Sequence, residues 1–374
     1  MNILIFSWRG PGHPHAGGAE KATHEYAKDW VKAGHSVTLF TSGYPGCKSE
    51  ETIDGVRIKR HGSQILGVHV QAFKWYISGN HPKYDLVIDQ FHGIPFFAPL
   101  YVKEKKLAFI HEVTKEVWAL NSLPKPFNLI PTIFGTFLEP FVFKLFYRNI
   151  PFMTGSKSTK RDLVNWGIPE RNITIIDYGL EKPPFKKIPP KEKKNTLIFL
   201  GVLAKDKGIE EALEIFATVN SKTEGYQFWV VGKGEQKYAK FLRQKSKELG
   251  LRKNIHFWGF VENYKKYQLL AKARILINPS YREGWSLVVM EAASVGTPTV
   301  GYDVPGLRDS IIDNKTGILS PKDPESIVAN VLELIEDTHK YELFRRNCFN
   351  WSKRFDWSKS AKLSLKFVEK IAEI

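Results

Sequence analysis

The sequence predicts an α/β protein of two domains, each a parallel sheet covered by helices on both faces. Three observations carry this. Short β-branched runs alternate with helix-like patterns, the alternation comes as two separate series, and a proline- and lysine-rich stretch divides them. The length of 374 residues also exceeds what one hydrophobic core comfortably organises.

In the first series, residues 3–7, 36–41, 84–89, 106–110 and 173–176 read as strands, and residues 19–33 and 158–166 as helices. Pro183, Pro184, Pro189 and Pro190 then interleave with six lysines over residues 181–195, which is a linker composition. The second series has strands at 196–200, 227–231, 254–257, 275–278 and 297–300. Its helices fall at 209–219, 238–249, 287–295 and 324–335. Domains are therefore expected over 1–180 and 196–355. From Phe355-Asp356-Trp357-Ser358 onward, Leu363, Leu365, Phe367, Val368 and Ile371 give a last amphipathic helix.

Composition narrows the function. A formal charge of +16 points to an anionic partner: nucleic acid, an anionic membrane surface or a phosphorylated substrate. Cys47 and Cys348 are too few for a disulfide framework or a cysteine metal site, which fits a reducing compartment. The first residues carry no basic region and no cleavage site, and no uninterrupted apolar run of about 18 residues is read. A cytoplasmic location is expected. Nucleic acid is disfavoured, because the basic residues are mostly dispersed lysines without interleaved stacking aromatics.

In open parallel sheets, ligands bind where the loops leave the carboxyl ends of the strands, and two such sheets facing each other form a cleft there. After the first strand, Gly10, Gly12, Gly17 and Gly18 serve equally a binding loop or a tight turn. Their spacing fits neither the dinucleotide fingerprint nor a P-loop, which argues against a nicotinamide-dependent dehydrogenase. Lys207 stands at a helix start, where positive charge opposes the helix dipole unless an anion is bound; a solvated lysine is the plain alternative. Gly232 and Gly234 mark another turn, either shaping a nucleotide pocket or merely reversing the chain.

The most specific pattern runs from Tyr281 to Glu291. It holds two carboxylates, Glu283 and Glu291, on either side of a loop-to-helix junction. Gly284 permits unusual backbone angles and Ser286 is placed to cap the apolar helix that follows. Glu291 lies roughly 7.5 Å along the axis from Ser286, about the distance from a bound diphosphate to a nucleoside ribose. Spacing alone leaves open a sugar-nucleotide clamp or two solvated glutamates.

Taken in order, these pieces resemble the retaining glycosyltransferases of family 4. The markers are Gly17-Gly18-Ala19-Glu20, Ala33-Gly34-His35-Ser36-Val37, His111-Glu112, Ser156-Lys157-Ser158, residues 201–208 and Gly232-Lys233-Gly234-Glu235. They continue with Phe257-Trp258-Gly259-Phe260, Pro279-Ser280 through Glu291, Gly296-Thr297-Pro298-Thr299-Val300 and Pro305-Gly306. The resemblance implies the glycosyltransferase-B fold, two Rossmann-like domains facing across a cleft, with residues 356–374 crossing back to the N-terminal domain. That domain would bind the acceptor and the C-terminal one the sugar nucleotide.

The same resemblance implies hexosyl transfer from a nucleoside diphosphate sugar to a hydroxyl, with retention at the anomeric carbon. Glu291 would bind the ribose, Glu283 the transferred sugar, and Lys207 the diphosphate, together with backbone N–H groups of Gly284, Trp285, Ser286 and Leu287. Gly17 and Gly18 would lie near donor phosphates or acceptor, Gly232 and Gly234 near the donor, and His111 would face the reacting sugar as a hydroxyl contact; a buried structural histidine is its other reading. Many relatives carry an arginine where this chain has Val202, and Lys205 would substitute without a bidentate fork. No cofactor or metal is implied: the chain lacks an Asp-x-Asp sequence, and Lys207 with a helix N-terminus can do the electrostatic work. A sugar-nucleotide epimerase of the same general fold is the alternative.

Residues 118–150 bear on the acceptor. Phe127, Phe134, Phe137, Phe141, Phe143, Phe146 and Tyr147 make the segment apolar nearly all round a helix, interrupted by Pro131, Glu139, Pro140 and Lys144. It reads either as a helix buried in its domain or as a surface for a lipid-linked acceptor. The second reading adds peripheral contact with an anionic membrane, helped by Lys103, Lys105, Lys106, Lys115 and Lys125.

Overall fold

The computed structural model describes residues 1–64, 66–91, 93–120, 126–191 and 195–373. Lys125, residues 192–194 of the expected linker and the terminal Ile374 lie outside the described residues. The chain forms two compact units, Met1–Gly179 with Asp356–Ile374, and Leu180–Phe355.

The first unit holds strands β1 (Asn2–Ser7), β2 (Ser36–Thr41), β3 (Glu50–Ile53), β4 (Val56–Arg60), β5 (Leu86–Phe91), β6 (Lys105–Ile110), β7 (Phe152–Thr154) and β8 (Ile173–Ile175). They pair in the order β3-β4-β2-β1-β5-β6-β7-β8. All pairs are parallel except β3 with β4, an antiparallel hairpin. Its turn is Asp54-Gly55, with φ of 50° and 80°, the left-handed pair that lets a two-residue loop follow the twist of the strands. Central β1 is apolar on both faces because helices cover both; Ile3, Leu4, Ile5 and Phe6 are all fully buried.

The helix Trp357–Glu373 belongs to this unit and packs on the helix Gly18–Lys32. Trp30 is buried at their contact and its Nε1 donates to Ser364 Oγ at 3.0 Å. At Gly179 a Cβ would lie 2.3 Å from the backbone nitrogen of Trp357, so the chain reaches that helix only through a residue without a side chain.

The helical run Leu129–Tyr147 settles one pair of expectations against burial. Phe143 and Tyr147 are fully buried, whereas Phe127, Phe137 and Phe141 are 59%, 70% and 57% exposed. The run docks by one narrow face, so the aromatic residues elsewhere on it have no core to enter. It is long and apolar enough, at a mean hydropathy of 1.5, to cross a membrane by length and composition.

The second unit holds β9 (Thr196–Leu200), β10 (Gln227–Val231), β11 (Ile255–Gly259), β12 (Ile275–Asn278), β13 (Thr299–Tyr302) and β14 (Gly317–Ser320). The order is β11-β10-β9-β12-β13-β14, parallel throughout. Its core gathers Phe216, Phe228, Leu270 and Ile277, with the rings of Phe216 and Phe228 stacked at 4.9 Å. From β9 the chain moves outward to β10 and β11, then returns to the other side of β9 as β12. The strand order therefore reverses between β9 and β12, where a doubly wound sheet leaves a crevice at its carboxyl edge.

Candidate functional site

Two loops meet at that crevice. The loop after β9 makes a single turn at Lys205–Lys207 and passes through Gly208 into the helix Ile209–Lys222. Gly208 has φ of 67°, and a Cβ there would stand 2.1 Å from the carbonyl oxygen of Pro279, so glycine is required for the loops to touch. The contact is secured by Tyr281 N donating to Asp206 O at 2.9 Å. Lys207 Nζ is thereby brought 3.2 Å from Glu283 Oε1, and 3.6 Å from Asp206.

Glu283 is held on its other sides. Ser280 Oγ lies 2.9 Å from Glu283 Oε1 and 2.6 Å from Asn278 Oδ1, and Glu283 N donates to Pro305 O at 3.2 Å. Gly306 allows the β13 loop to approach, since a Cβ there would meet the Glu283 carbonyl oxygen at 2.1 Å. Tyr281 donates to Glu211 Oε1 at 2.5 Å and Tyr302 to Glu211 Oε2 at 2.7 Å. The hydrogen bond to Glu211, with burial, pushes the Tyr281 hydroxyl up to about 12. Both phenols therefore keep their protons and hold this side of the loop.

Ser286 corrects the expected helix cap. It has φ of 59° and ψ of 78°, and its side chain makes no capping bond. Its Oγ instead accepts from Asn278 Nδ2 at 3.3 Å. The left-handed backbone turns the hydroxyl back toward β12. Trp285 is buried with its ring 4.9 Å from that of Phe355, so what this residue presents to the crevice is backbone. Leu287 opens the helix Leu287–Ser294, one turn into which Glu291 is buried.

Glu291 does not stand alone. Lys266, from the helix Asn263–Lys272, places its Nζ 2.6 Å from Glu291 Oε1. Sequence reasoning missed this lysine, which stands among Lys265, Lys272 and other surface cations with nothing to single it out. Gly232 and Gly234 close the β9 and β10 loops on each other: a Cβ would lie 1.8 Å from Gly201 O and 2.3 Å from Leu203 O respectively. Lys205 lines a hollow with Glu210, Glu235, Lys237, Tyr238 and Phe241, and Val202 is 50% exposed.

The remaining sequence candidates belong to the first unit. Gly17 precedes the helix Gly18–Lys32, and its N–H donates to Glu20 Oε2 at 2.6 Å. Glu20 Oε1 takes Arg9 Nε at 2.8 Å, fixing the glycine loop at both ends. A glutamate three residues after a helix cap is a readable signal for that contact. His111 is buried, with Nδ1 2.5 Å from Tyr178 Oη and Nε2 3.4 Å from Thr23 Oγ1. Thr23 donates its hydrogen to Ala19 O at 3.0 Å, so it accepts from His111 Nε2–H. Burial drives the Tyr178 hydroxyl well above its ordinary range, so that phenol keeps its proton and donates to Nδ1. A neutral imidazole protonated on Nε2 satisfies both partners. Among the described residues, no three His, Cys, Asp or Glu side chains gather in a metal-binding group.

A cation and carboxylates thus meet at the switch point of the second sheet, the place where open α/β sheets bind their ligands. The profile for glycosyl transferases group 1 matches residues 181–351 and that for glycosyltransferase family 4 matches residues 16–181. The chain belongs to these glycosyltransferases, and its fold is glycosyltransferase-B. An uncharacterized glycosyltransferase of Methanocaldococcus jannaschii is 25% identical, over 99% of each chain. Sucrose-phosphate synthase from Thermosynechococcus elongatus superimposes with a TM-score of 0.80 at 18% identity, covering 99% of this chain and 98% of that one. HepE from Anabaena, solved in complex with UDP-glucose, gives 0.73 at 18% identity, covering 99% and 100%.

Proposed function

We propose that this glycosyltransferase moves a hexosyl group from a nucleoside diphosphate sugar to a hydroxyl acceptor, with retention of anomeric configuration. The observation that carries the reading is the pairing of Lys207 with Glu283 at the switch crevice, 3.2 Å apart, beside the start of the helix Leu287–Ser294. A cation and a helix N-terminus at one point attract a diphosphate. As the bond from the anomeric carbon to the phosphate oxygen breaks, negative charge grows on the leaving group, and Lys207 stabilises it more than the ground state. Glu283 then hydrogen-bonds hydroxyls of the transferred sugar, and Glu291 those of the ribose.

In this reading neither glutamate is a proton-transfer catalyst. The acceptor hydroxyl loses its proton to the departing phosphate on the same face of the sugar. His111 has Nδ1 accepting from Tyr178 and Nε2–H donating to Thr23, which favours its structural reading over a hydroxyl contact or a general-base role. No metal has a part. The binding of UDP and UDP-glucose by the Anabaena neighbour supports a sugar nucleotide as donor.

The test is release of nucleoside diphosphate from a panel of sugar nucleotides, with and without hydroxyl acceptors and with a chelator present. Turnover of one donor, α- or β-linkage retained in the product by NMR, and indifference to chelation are expected. Inversion of the linkage overturns the retaining mechanism, and no turnover across the panel overturns the donor assignment.

A further inference from the structure

We propose that the first unit docks on an anionic lipid bilayer through two exposed helix faces, one on Leu66–Ile77 and one on Leu129–Tyr147. On the first helix Leu66, Val70, Phe73 and Ile77 are 62%, 48%, 42% and 57% exposed. Their spacing of four, three and four residues puts them on one stripe. On the second, Ile133, Phe137, Phe141 and Leu145 follow one another at four-residue intervals and are 58%, 70%, 57% and 57% exposed.

The stripes are joined. Phe73 meets Tyr101 edge-on at 5.1 Å, Phe97 meets Phe146 at 6.1 Å, and Leu100 stands 60% exposed on the four-residue helix Ala98–Tyr101 between them. Water-facing surfaces rarely leave so many large apolar side chains in one place without something to cover them.

Charge selects the occupant. The helix Leu66–Ile77 contains no carboxylate, and the single one in Leu129–Tyr147, Glu139, is buried, accepting from Thr114 N at 2.9 Å and Trp118 Nε1 at 3.0 Å. Lys74 and Lys144 on the two helices, Arg148 directly after the second, and Lys103 and Lys105 shortly after Ala98–Tyr101 are exposed. Exposed apolar side chains on helices that carry exposed cations and no exposed carboxylate match acyl chains beneath anionic headgroups. A second copy of this chain would set like charges against each other across a two-fold interface.

The helix Leu129–Tyr147 lies in the interface and does not cross the bilayer. Tyr147 is fully buried and donates to Asp89 at 2.6 Å, and Phe143 packs on Phe91 at 5.4 Å. Spanning would strip these contacts and leave the buried Asp89 short of a donor. The inference extends the proposed function, on which it rests only in making the acceptor a lipid-linked hydroxyl at the membrane surface.

The full chain is mixed with vesicles of phosphatidylcholine and phosphatidylglycerol in equal parts at low salt and pelleted. Wild type is expected to partition onto them. Val70→Asp with Phe73→Asp, and separately Phe137→Asp with Phe141→Asp, are expected to lower the partition coefficient at least tenfold while donor hydrolysis without lipid and the thermal transition hold. If a pair unfolds, Leu66→Gln with Ile77→Gln takes its place. Absence of wild-type binding, or variants that bind like wild type, overturns the proposal. So does sedimentation showing a dimer that either pair dissociates while vesicles go unbound. Absence of vesicle binding by the wild-type chain with intact donor hydrolysis condemns this inference alone, and wild-type vesicle binding without any donor turnover condemns the glycosyl-transfer reading.

Discussion

Lys266 Nζ stands 2.6 Å from Oε1 of the buried Glu291, an ion pair that joins the helix Asn263–Lys272 to the helix Leu287–Ser294. A carboxylate proposed to accept from ribose hydroxyls must be fixed in orientation, and the charge-assisted contact with a partly buried lysine fixes it.

Lys266→Met is therefore expected to weaken nucleoside diphosphate binding about tenfold, equivalent to about 1.4 kcal/mol, and to lower the thermal transition. Lys266→Arg should recover most of the affinity. Calorimetric titration decides it; unchanged affinity in the methionine variant removes the positioning role.

Lys207→Ala is expected to cost about 2–4 kcal/mol of transition-state stabilisation, roughly 30- to 1000-fold in turnover. Steady-state kinetics on the best donor should show the loss mainly in kcat. Activity within threefold of wild type would reject Lys207 as the leaving-group cation.

Burial, followed by the charges of Arg9 and His15, holds the His13 imidazole below its ordinary 6.5, while Glu20 opposes and Arg60 adds to the lowering. The unfolded chain therefore takes up a proton near pH 6.5 that the folded chain refuses. The contribution to stability is intact above that pH and is lost as pH falls through the folded value. Thermal melts between pH 7.5 and pH 5 should decline more steeply for wild type than for His13→Gln, and parallel curves would contradict the assignment.

Burial pushes the Cys348 thiol up to about 12, and its Sγ lies 3.1 Å from Thr316 O. Cys47 is only partly buried. Iodoacetamide at pH 8 is expected to label Cys47 alone in the folded protein, with Cys348 reacting after denaturation. Mass spectrometry of the digest reads the result, and early labelling of Cys348 would show that its surroundings open.

Ser364→Ala removes the acceptor for Trp30 Nε1 inside the first unit. The cost of an unsatisfied buried donor predicts a loss of about 1–3 kcal/mol in urea unfolding. A change below a few tenths would mean that this contact does not help hold the helix Trp357–Glu373.

Much of the architecture was legible in residues. The central strands β1, β5, β9 and β12 are apolar runs because helices cover both faces of their sheets, and such runs announce themselves. The hairpin β3-β4 did not, since Glu50, Glu51, Arg57 and Lys59 make it polar; only Asp54-Gly55 marks the turn. β7 is three residues long and β14 four, too short to show a period. At the site, Glu283, Glu291 and Lys207 were visible as residue types at suggestive positions. Lys266 and Glu211 were not, because each lies on an ordinary charged helix surface and acquires its meaning from what packs opposite.

By itself, then, the sequence determined the two series of strands and helices, the carboxylate pair and the glycine turns, since period, turn chemistry and short-range spacing are local properties. Only the tertiary structure decided which charges meet. Lys207 and Glu283 are far apart in the chain, and they touch because Gly208 and Gly306 let three strand-end loops converge at the point where the sheet order reverses. The same holds for the helix Leu129–Tyr147, whose composition fits a core or a surface equally well; packing by one face alone placed its aromatic side chains outside.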